Sequence, residues 1–468
     1  MSNANKFVKN SFILSIGTFL PKLASFITLP ILTGCLTKED YGQYDLFVVM
    51  ASLILPIATL QIQTAAFRFL INVRGNREKE NVIISNILLF VIPVSIIVLT
   101  IVFFILYDLP MSVRIAACLY FGADCIYGVF GQIARGLSYN SVYSMASILN
   151  SAGSVIFTVL LVSIMDKMLF GAVLTLCVSY CIGSLFIFFR IKLKERIHIS
   201  YIDISKLKQM IKYSWPMVPN SMSMWVMRLS DRLVIRIFLG LEANAIYAAA
   251  NKIPQILTLA QNTFTMAWQE NASETVNEEN VEQYYSQMFK VIFRLMAGFM
   301  SFLIGICPIL FSLLIRGDYR DAYPHIPILL IAMFFFTMAS FLGGIYVAYM
   351  KTANVGITTT IAAACNLIID LLCVKKIGVY AASLSTLISY ILLCIYRMVD
   401  VQKLVKLKYD IPFMTGVTLI LSVQCYVFTI DNIVYKVLNC LGGVFLMLFM
   451  NRDTLKRMFQ VVINKIKK

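Results

Sequence analysis

The chain has 468 residues, of which 59% are hydrophobic and 14% are charged, and its mean hydropathy is +0.81. Soluble domains contain about 25% charged and about 45–50% apolar residues, so this composition excludes an ordinary soluble protein and indicates a polytopic membrane protein. The net charge of +16 does not indicate nucleic-acid binding, because the basic residues cluster in loops between long apolar runs, where the positive-inside rule places them.

The first apolar run follows Lys6 and Lys9 and is too long for a signal-peptide core, so we interpret it as a retained membrane span. Eleven cysteines lie almost entirely inside apolar segments, no Cys-x-x-Cys pair occurs, and the sequence has two histidines. We therefore expect neither a disulfide scaffold nor a metal site. Motifs of nucleotide binding and hydrolysis are lacking as well, so we predict no catalytic residues and no enzyme.

Continuous apolar runs long enough to cross a membrane recur along the whole sequence. A helical span needs about 20 mostly apolar residues, and the connections between the runs are too short to hold a soluble catalytic domain. We predict about fourteen transmembrane helices, at 11–33, 44–70, 82–107, 114–135, 140–164, 169–190, 213–239, 245–268, 288–314, 325–350, 354–374, 378–396, 411–430 and 433–450.

A weak internal repeat groups these helices into bundles. Shifting residues 11–44 by 203 positions aligns Glu39 with Glu242 and Tyr44 with Tyr247, both in the turn between the first two spans of a bundle. Duplicated bundles are common in transporters. We predict an all-α polytopic membrane protein with two six-helix bundles plus a C-terminal helix pair. The predicted domains are 1–195, 196–400 and 401–468, the last including a basic tail.

The distribution of lysine and arginine predicts the orientation of the chain. Loops 72–81, 191–212 and 397–410 and the C-terminal tail are basic, whereas the loops on the opposite side carry few cations. Because basic loops stay in the cytoplasm, we predict that both termini are cytoplasmic.

Ionisable residues at membrane depth are few, and cations dominate among them. Without the terminal residues, seven cations face three acids: Lys22, Arg68, Arg228, Arg232, Arg236, Lys252 and Arg294 against Asp124, Asp231 and Asp370. Such residues normally face a bundle interior or a watery cavity. A surplus of buried cations predicts an anionic cargo, and arginine forks suit phosphate oxygens.

The densest group is "MRLSDRLVIR" at 227–236, where arginines recur every four residues along one helix face. Asp231 follows Arg228 by three positions and adjoins Arg232, close enough to neutralise one of them. One interpretation is structural: an Asp231–Arg232 pair joins helices and Arg236 extends to the membrane surface. The other interpretation is a cationic substrate site that includes Arg228.

Four segments resemble polysaccharide flippases of the Wzx type, in the multidrug/oligosaccharidyl-lipid/polysaccharide (MOP) exporter superfamily. They are "LPILTGCLTKEDYGQYDLF" (29–47), "KYSWPMVPNSMSMWV" (212–226), "SDRLVIRIFLGLEANAIYAAANKI" (230–253) and "MAWQENASE" (266–274). The resemblance extends over essentially the whole chain. It implies alternating access around a cationic cavity in the bacterial cytoplasmic (inner) membrane, with a proton or sodium gradient as the energy source and no bound cofactor.

The resemblance also implies the cargo: undecaprenyl-pyrophosphate-linked oligosaccharide, turned from the inner to the outer leaflet for O-antigen, capsule or exopolysaccharide synthesis. The expected partners are this lipid-linked glycan, the bilayer, a polysaccharide polymerase and a chain-length regulator. The predicted substrate-binding residues are Arg228, Lys252, Arg294, Lys22, Arg68 and Arg232, and the predicted ion-coupling or charge-orienting residues are Asp124 and Asp231.

Two other functions stay open. A multidrug or cation antiporter of the same superfamily would need buried acids, whereas cations prevail in this sequence. A membrane-embedded polysaccharide polymerase or ligase would be expected to need a sizeable outward loop with catalytic residues, whereas the loops on the predicted outer side are short.

Overall fold

The computed structural model describes residues 23–452, without the side chains at 220, 227, 228, 259, 260, 262, 263, 266, 267, 270 and 352. Regular structure in this range is entirely helical, apart from turns, which confirms the predicted all-α class. The helices are α1 Leu23–Cys35, α2 Lys38–Ala58, α3 Ile62–Val73, α4 Arg77–Ile105, α5 Met111–Gly136, α6 Asn140–Phe157, α7 Met168–Arg190, α8 Ile204–Ser214, α9 Met217–Leu239, α10 Leu241–Lys252, α11 Pro254–Thr275, α12 Val281–Leu314, α13 His325–Ala348, α14 Thr352–Ile377, α15 Tyr380–Asp400, α16 Ile411–Phe428 and α17 Ile433–Met450. A π-helical segment, Thr158–Ile164, extends α6.

Among the described helices, eleven are long and apolar enough to cross a membrane, and α1 is a shorter apolar helix. The chain is therefore a multi-pass membrane protein. Three predicted spans are not among the eleven, for different reasons. Span 11–33 begins outside the described residues, α9 carries the charges of 228–236, and span 245–268 is divided between α10 and α11. The count of fourteen thus stays a prediction.

The second predicted span of each repeat is broken into two helices. Between α2 and α3, Leu60 and Gln61 adopt left-handed φ angles of 46° and 57°, shortly after Pro56, which cannot donate a backbone hydrogen bond. Between α10 and α11, Pro254 begins the new helix. Irregular backbone at membrane depth persists where protein encloses it or water lines it, and the flanking Ile62 and Ile253 are completely buried.

Contacts divide the chain into two compact units. Unit 1 extends to Trp225 and includes Leu314–Gly317, and unit 2 comprises Val226–Leu313 and the chain from Asp318. Helix α9 thus contributes its first turns to unit 1 and the remainder to unit 2. This division does not test the predicted domain boundaries at 195/196 and 400/401, which stay a prediction.

Unit 1 carries an amphipathic segment on the ends of α3 and α4. The sequence predicts a basic loop at 191–212, and the structure places helix α8 at its end, with Met210 fully buried and Lys206, Lys208 and Lys212 exposed. The segment is anchored by a buried ion pair in which Arg196 Nη1 lies 2.8 Å from Glu80 Oε2.

Unit 2 also holds a buried arginine, with a different set of partners. Arg397 of α15 donates to the Ala339 carbonyl at 2.8 Å and to the hydroxyls of Thr358 and Thr359 at 2.9 and 3.0 Å. These acceptors are neutral oxygens on α13 and α14, so the guanidinium joins three helices.

The final helix pair packs on α12 through Gln424, whose side-chain oxygen accepts from Ser301 at 2.7 Å.

Candidate cation and substrate sites

The charged stretch 228–236 lies on α9, and its residues have different environments. Asp231 and Arg232 are 3% and 5% exposed, whereas Arg236 is exposed. The side chain of Arg228, predicted to bind substrate, is not among those that the structure describes. The helix therefore directs at least one acid and one base into the interior of unit 2.

Asp231 is held by hydrogen bonds from three other helices. Tyr247 Oη of α10 donates to Oδ2 at 2.6 Å, and Thr386 Oγ1 of α15 donates to the same oxygen at 2.8 Å. With its amide oriented to satisfy its neighbours, Asn366 of α14 donates from its nitrogen to Oδ1 at 2.9 Å. Each oxygen of the carboxylate is thus bound, and its position is fixed.

A second carboxylate lies one helical turn beyond Asn366. Asp370 is completely buried and interacts electrostatically with Asp231. Neither oxygen of Asp370 accepts a hydrogen bond from a described residue. An unsatisfied buried carboxylate beside another one is costly, because both the loss of hydration and the like-charge repulsion oppose ionisation.

The charges around these acids do not balance. Asp231 and Asp370 contribute two negative charges, and Arg232 interacts electrostatically with Asp231 and contributes one positive charge. Among the described side chains the local balance is therefore one negative charge. A proton or a monovalent cation with a preference for oxygen ligands, such as sodium, would neutralise it.

The two acids lie in unit 2, where Asp231 borders a small cavity. This cavity has a volume of about 160 Å³ and is lined by Asp231, Arg232, Tyr247, Asn251 and Thr386, among others. An apolar cluster of Val234, Val374 and Ala381 also packs within unit 2, on α9, α14 and α15. The cavity accommodates water or an ion, whereas pockets for drug-sized ligands are about 300–1,000 Å³.

The other predicted substrate-binding residues are dispersed. Arg68 is exposed on α3, and Lys252 is half-buried at the end of α10. Arg294 of α12 is half-buried, with its guanidinium carbon 5.1 Å from the centre of the Phe413 ring. Lys22 lies outside the described residues. The structure thus joins Asp231 and Arg232 in one cavity, and the roles predicted for the other cations stay predictions.

Asp124, the other predicted ion-coupling residue, lies on α5 in unit 1. It is half-buried, and its carboxylate makes neither a hydrogen bond nor an ion pair with a described residue. Three tyrosines, Tyr120, Tyr127 and Tyr180, interact electrostatically with it, so the two predicted coupling acids occupy different chemical environments.

Sequence reasoning missed Asp370 and Asn366 as partners of Asp231. Their spacing of four residues inside an apolar run placed two polar side chains on one helix face. That spacing was an available signal of a polar site on α14. No local sequence pattern shows which helix packs against that face of α14.

Long apolar helices, two of them following broken spans, define the class: a multi-pass helical membrane protein. The fold is similar to the lipid II flippase MurJ in an inward closed conformation, with a TM-score of 0.72 and 14% identity over 96% of this chain and 100% of that chain. It is also similar to an inward-facing multidrug resistance MATE family transporter of the MOP superfamily, with a TM-score of 0.67 and 13% identity over 88% and 98% of the two chains.

A third similar structure is a MOP superfamily transporter from Pyrococcus furiosus, described as having a binding pocket of reverse polarity. Its TM-score is 0.57 and its identity 14%, over 84% of this chain and 95% of that chain. No curated protein matches the sequence significantly.

Residues 7–269 match the family described as polysaccharide biosynthesis protein. The chain belongs to this family, which confirms the predicted resemblance at the level of the family. Its fold is the one found in MurJ and in MOP superfamily transporters. The fold is thus one that membrane flippases and transporters adopt.

Proposed function

We propose that the protein is a flippase that turns an undecaprenyl-pyrophosphate-linked oligosaccharide from the inner to the outer leaflet of the bacterial cytoplasmic membrane. The observation that carries this proposal is the conjunction of a polysaccharide biosynthesis family with the fold of a lipid II flippase across the chain. Both termini are proposed to be cytoplasmic. A polysaccharide polymerase and a chain-length regulator would act on the delivered units.

The cargo carries its charge in the pyrophosphate, and the cations at membrane depth would neutralise it. Arginine binds phosphate oxygens through a planar fork with several donors, and a desolvated phosphate needs such compensation. We assign this role to Arg228, Lys252 and Arg294, with contributions from Lys22, Arg68 and Arg232. Alternating access would expose these residues first to the inner leaflet and then to the outer leaflet.

The buried acids of unit 2 would couple transport to an ion gradient. When sodium or a proton occupies the site, Asp231 and Asp370 approach without repulsion, and α9, α14 and α15 pack tightly. When the ion leaves, two carboxylates in a dry interior repel each other. A ligand that binds one packing of these helices shifts the population toward it by its differential affinity, which links ion occupancy to helix arrangement.

The alternative of a multidrug antiporter has support from the similar MATE fold. The acids that would attract a cationic drug are buried beside a cavity of only about 160 Å³, which is below the range of drug-sized pockets. An inorganic cation fits these dimensions better, so the acids favour ion coupling over drug binding.

Deletion of the gene in its native host tests the proposed function. We expect lipid-linked repeat units to accumulate and surface polysaccharide to disappear, and the wild-type gene to restore both to normal. Mass spectrometry of extracted lipids and immunoblotting of surface glycan measure these outcomes. Normal surface polysaccharide in the deletion strain, with no accumulated precursor, would contradict the proposal.

A further inference from the structure

Three tyrosines of unit 1, Tyr120, Tyr127 and Tyr180, interact electrostatically with Asp124, and a fourth, Tyr44, interacts with Tyr120 and Tyr180. We call these four residues the tyrosine cluster. Tyr120 and Tyr127 lie on α5 with Asp124, at spacings that place all three on one face. Tyr44 comes from α2 and Tyr180 from α7. The ring centres of Tyr120 and Tyr127 are 5.9 and 5.4 Å from that of Tyr180.

The polar groups of the tyrosine cluster have few protein partners. Tyr127 Oη lies 2.9 Å from Ser147 Oγ. The hydroxyls of Tyr44, Tyr120 and Tyr180 make no hydrogen bond to a described residue, and neither does the Asp124 carboxylate. The carboxylate nevertheless lies within electrostatic range of the Tyr120 and Tyr180 hydroxyls.

Such unpaired groups at membrane depth require another partner. A carboxylate and three hydroxyls in an apolar environment are costly unless they bind water or a ligand. A purely structural tyrosine usually directs its hydroxyl to a protein acceptor, as Tyr247 does toward Asp231. In the tyrosine cluster, by contrast, the hydroxyls of Tyr44, Tyr120 and Tyr180 have no protein acceptor among the described residues.

The chemistry of these groups discriminates between ligands. A phosphate would be repelled by Asp124, because no described cation forms an ion pair with that carboxylate. A small cation fits this group poorly, because the group offers it a single carboxylate among bulky aromatic rings. The site in unit 2, by contrast, has two buried acids. A sugar ring has hydroxyl donors for a carboxylate, hydroxyls that pair with phenols, and an apolar C–H face that packs against aromatic rings.

We infer that the tyrosine cluster binds a sugar ring of the transported glycan, with Asp124 accepting hydrogen bonds from sugar hydroxyls. The inference rests on the proposed function and deepens it. Cations would hold the pyrophosphate, and the tyrosine cluster would select the sugar. A site built to pair with hydroxyls discriminates strongly against ligands that lack them, because its polar groups are then left unpaired.

Binding to the purified full-length protein in detergent tests this inference. The probes are undecaprenyl pyrophosphate and its conjugates with glucose, galactose or N-acetylglucosamine, each measured by native mass spectrometry. We expect the wild type to bind at least one conjugate about tenfold more tightly than the bare lipid. Asp124→Asn and the double variant Tyr120→Phe/Tyr180→Phe should lose this preference and retain the affinity for the bare lipid.

The matched controls are Asp108→Asn and Tyr107→Phe, because both residues are exposed in the turn after α4. These variants should bind all four lipids as the wild type does. A wild type with no preference for any sugar conjugate, or cluster variants that keep the preference, would overturn the inference. Absence of binding to every lipid, the bare one included, would overturn the proposed function along with it.

Discussion

The two units place their polar groups in different environments, although the sequence predicts them to be repeats. In unit 2, Tyr247 donates to Asp231 within a buried set of hydrogen bonds, next to a second buried acid. In unit 1 its repeat counterpart Tyr44 interacts electrostatically with Tyr120 and Tyr180, which in turn interact with Asp124. The Asp124 carboxylate has no hydrogen-bond partner among the described residues. One unit encloses a site of ion size, and the other leaves hydroxyls available for a larger ligand.

The difference depends on a few side chains of a shared helical plan. By the offset of 203 residues, Thr28 in α1 corresponds to Asp231 in α9, and its hydroxyl donates to the Ser25 carbonyl of its own helix at 3.3 Å. Unit 1 thus has a neutral hydroxyl where unit 2 has an acid. A duplicated scaffold can therefore carry different functions on its two copies, because function follows the site and not the fold.

Buried arginines show a similar contrast. Arg196 of unit 1 pairs with the carboxylate of Glu80, whereas Arg397 of unit 2 is bound by carbonyl and hydroxyl oxygens. The first arrangement depends on two opposite charges, and loss of either leaves the other uncompensated. The second distributes one charge over neutral acceptors.

The largest expected effect concerns the acids that distinguish unit 2. Asp370→Asn removes one of the two negative charges that attract the coupling ion. We expect gradient-driven transport in proteoliposomes to fall by about 100-fold, as the loss of about 2.7 kcal/mol of ion binding implies. Asp231→Asn should give the same result.

The exposed Asp321 of unit 2 provides the control, since Asp321→Asn removes a charge outside the cation site. Its transport should equal that of the wild type under a sodium gradient and under a pH gradient. Full gradient-driven transport by Asp370→Asn would show that the acids of unit 2 do not couple the ion.

An intermediate effect is expected on the stability of unit 1. Glu80→Gln leaves the buried Arg196 without its anionic partner, and we expect a loss of about 2 kcal/mol in the free energy of unfolding. Thermal denaturation followed by size-exclusion chromatography measures the change. Glu195→Gln is the control, because its pair with Arg77 is exposed and should contribute at most about 1 kcal/mol. Equal melting temperatures for the two variants would refute the distinction.

The smallest effect compares the repeat-related tyrosines directly. Tyr247→Phe removes the 2.6 Å hydrogen bond to Asp231 and should strengthen ion affinity about tenfold, because that hydrogen bond stabilises the ion-free carboxylate by about 1.5–3 kcal/mol. Tyr44→Phe should leave ion affinity unchanged. Sodium-dependent and pH-dependent thermal stabilisation of the two variants measures the difference, and similar shifts in both would remove the contrast between the units.

Composition and local pattern were sufficient to predict the class and the family. Apolar runs predicted most of the helices, and the residues of 29–47 and 230–253 carried the resemblance that the family match confirmed. The cost of burying charge identified Asp231 and Arg232 as interior residues, as the structure shows.

Features that depend on tertiary contact were not predictable in the same way. Asp370 was recognised as an acid at membrane depth, but its proximity to Asp231 depends on how α14 packs on α9. The break after α2 depends on two residues with left-handed φ angles, Leu60 and Gln61, neither of which is glycine. Asp124 and its tyrosines come from α2, α5 and α7, and no sequence spacing connects those helices.

Translocation by the purified protein in liposomes tests the central claim most directly. The vesicles contain undecaprenyl-pyrophosphate-linked oligosaccharide from the native host, and exposure of the glycan is measured by its accessibility to a lectin or a glycosidase outside the vesicle. We expect an inward-to-outward transfer that an imposed sodium or pH gradient accelerates and that protein-free vesicles lack. Glycan exposure equal to that of protein-free vesicles, with or without a gradient, would contradict the assignment of this protein as a flippase.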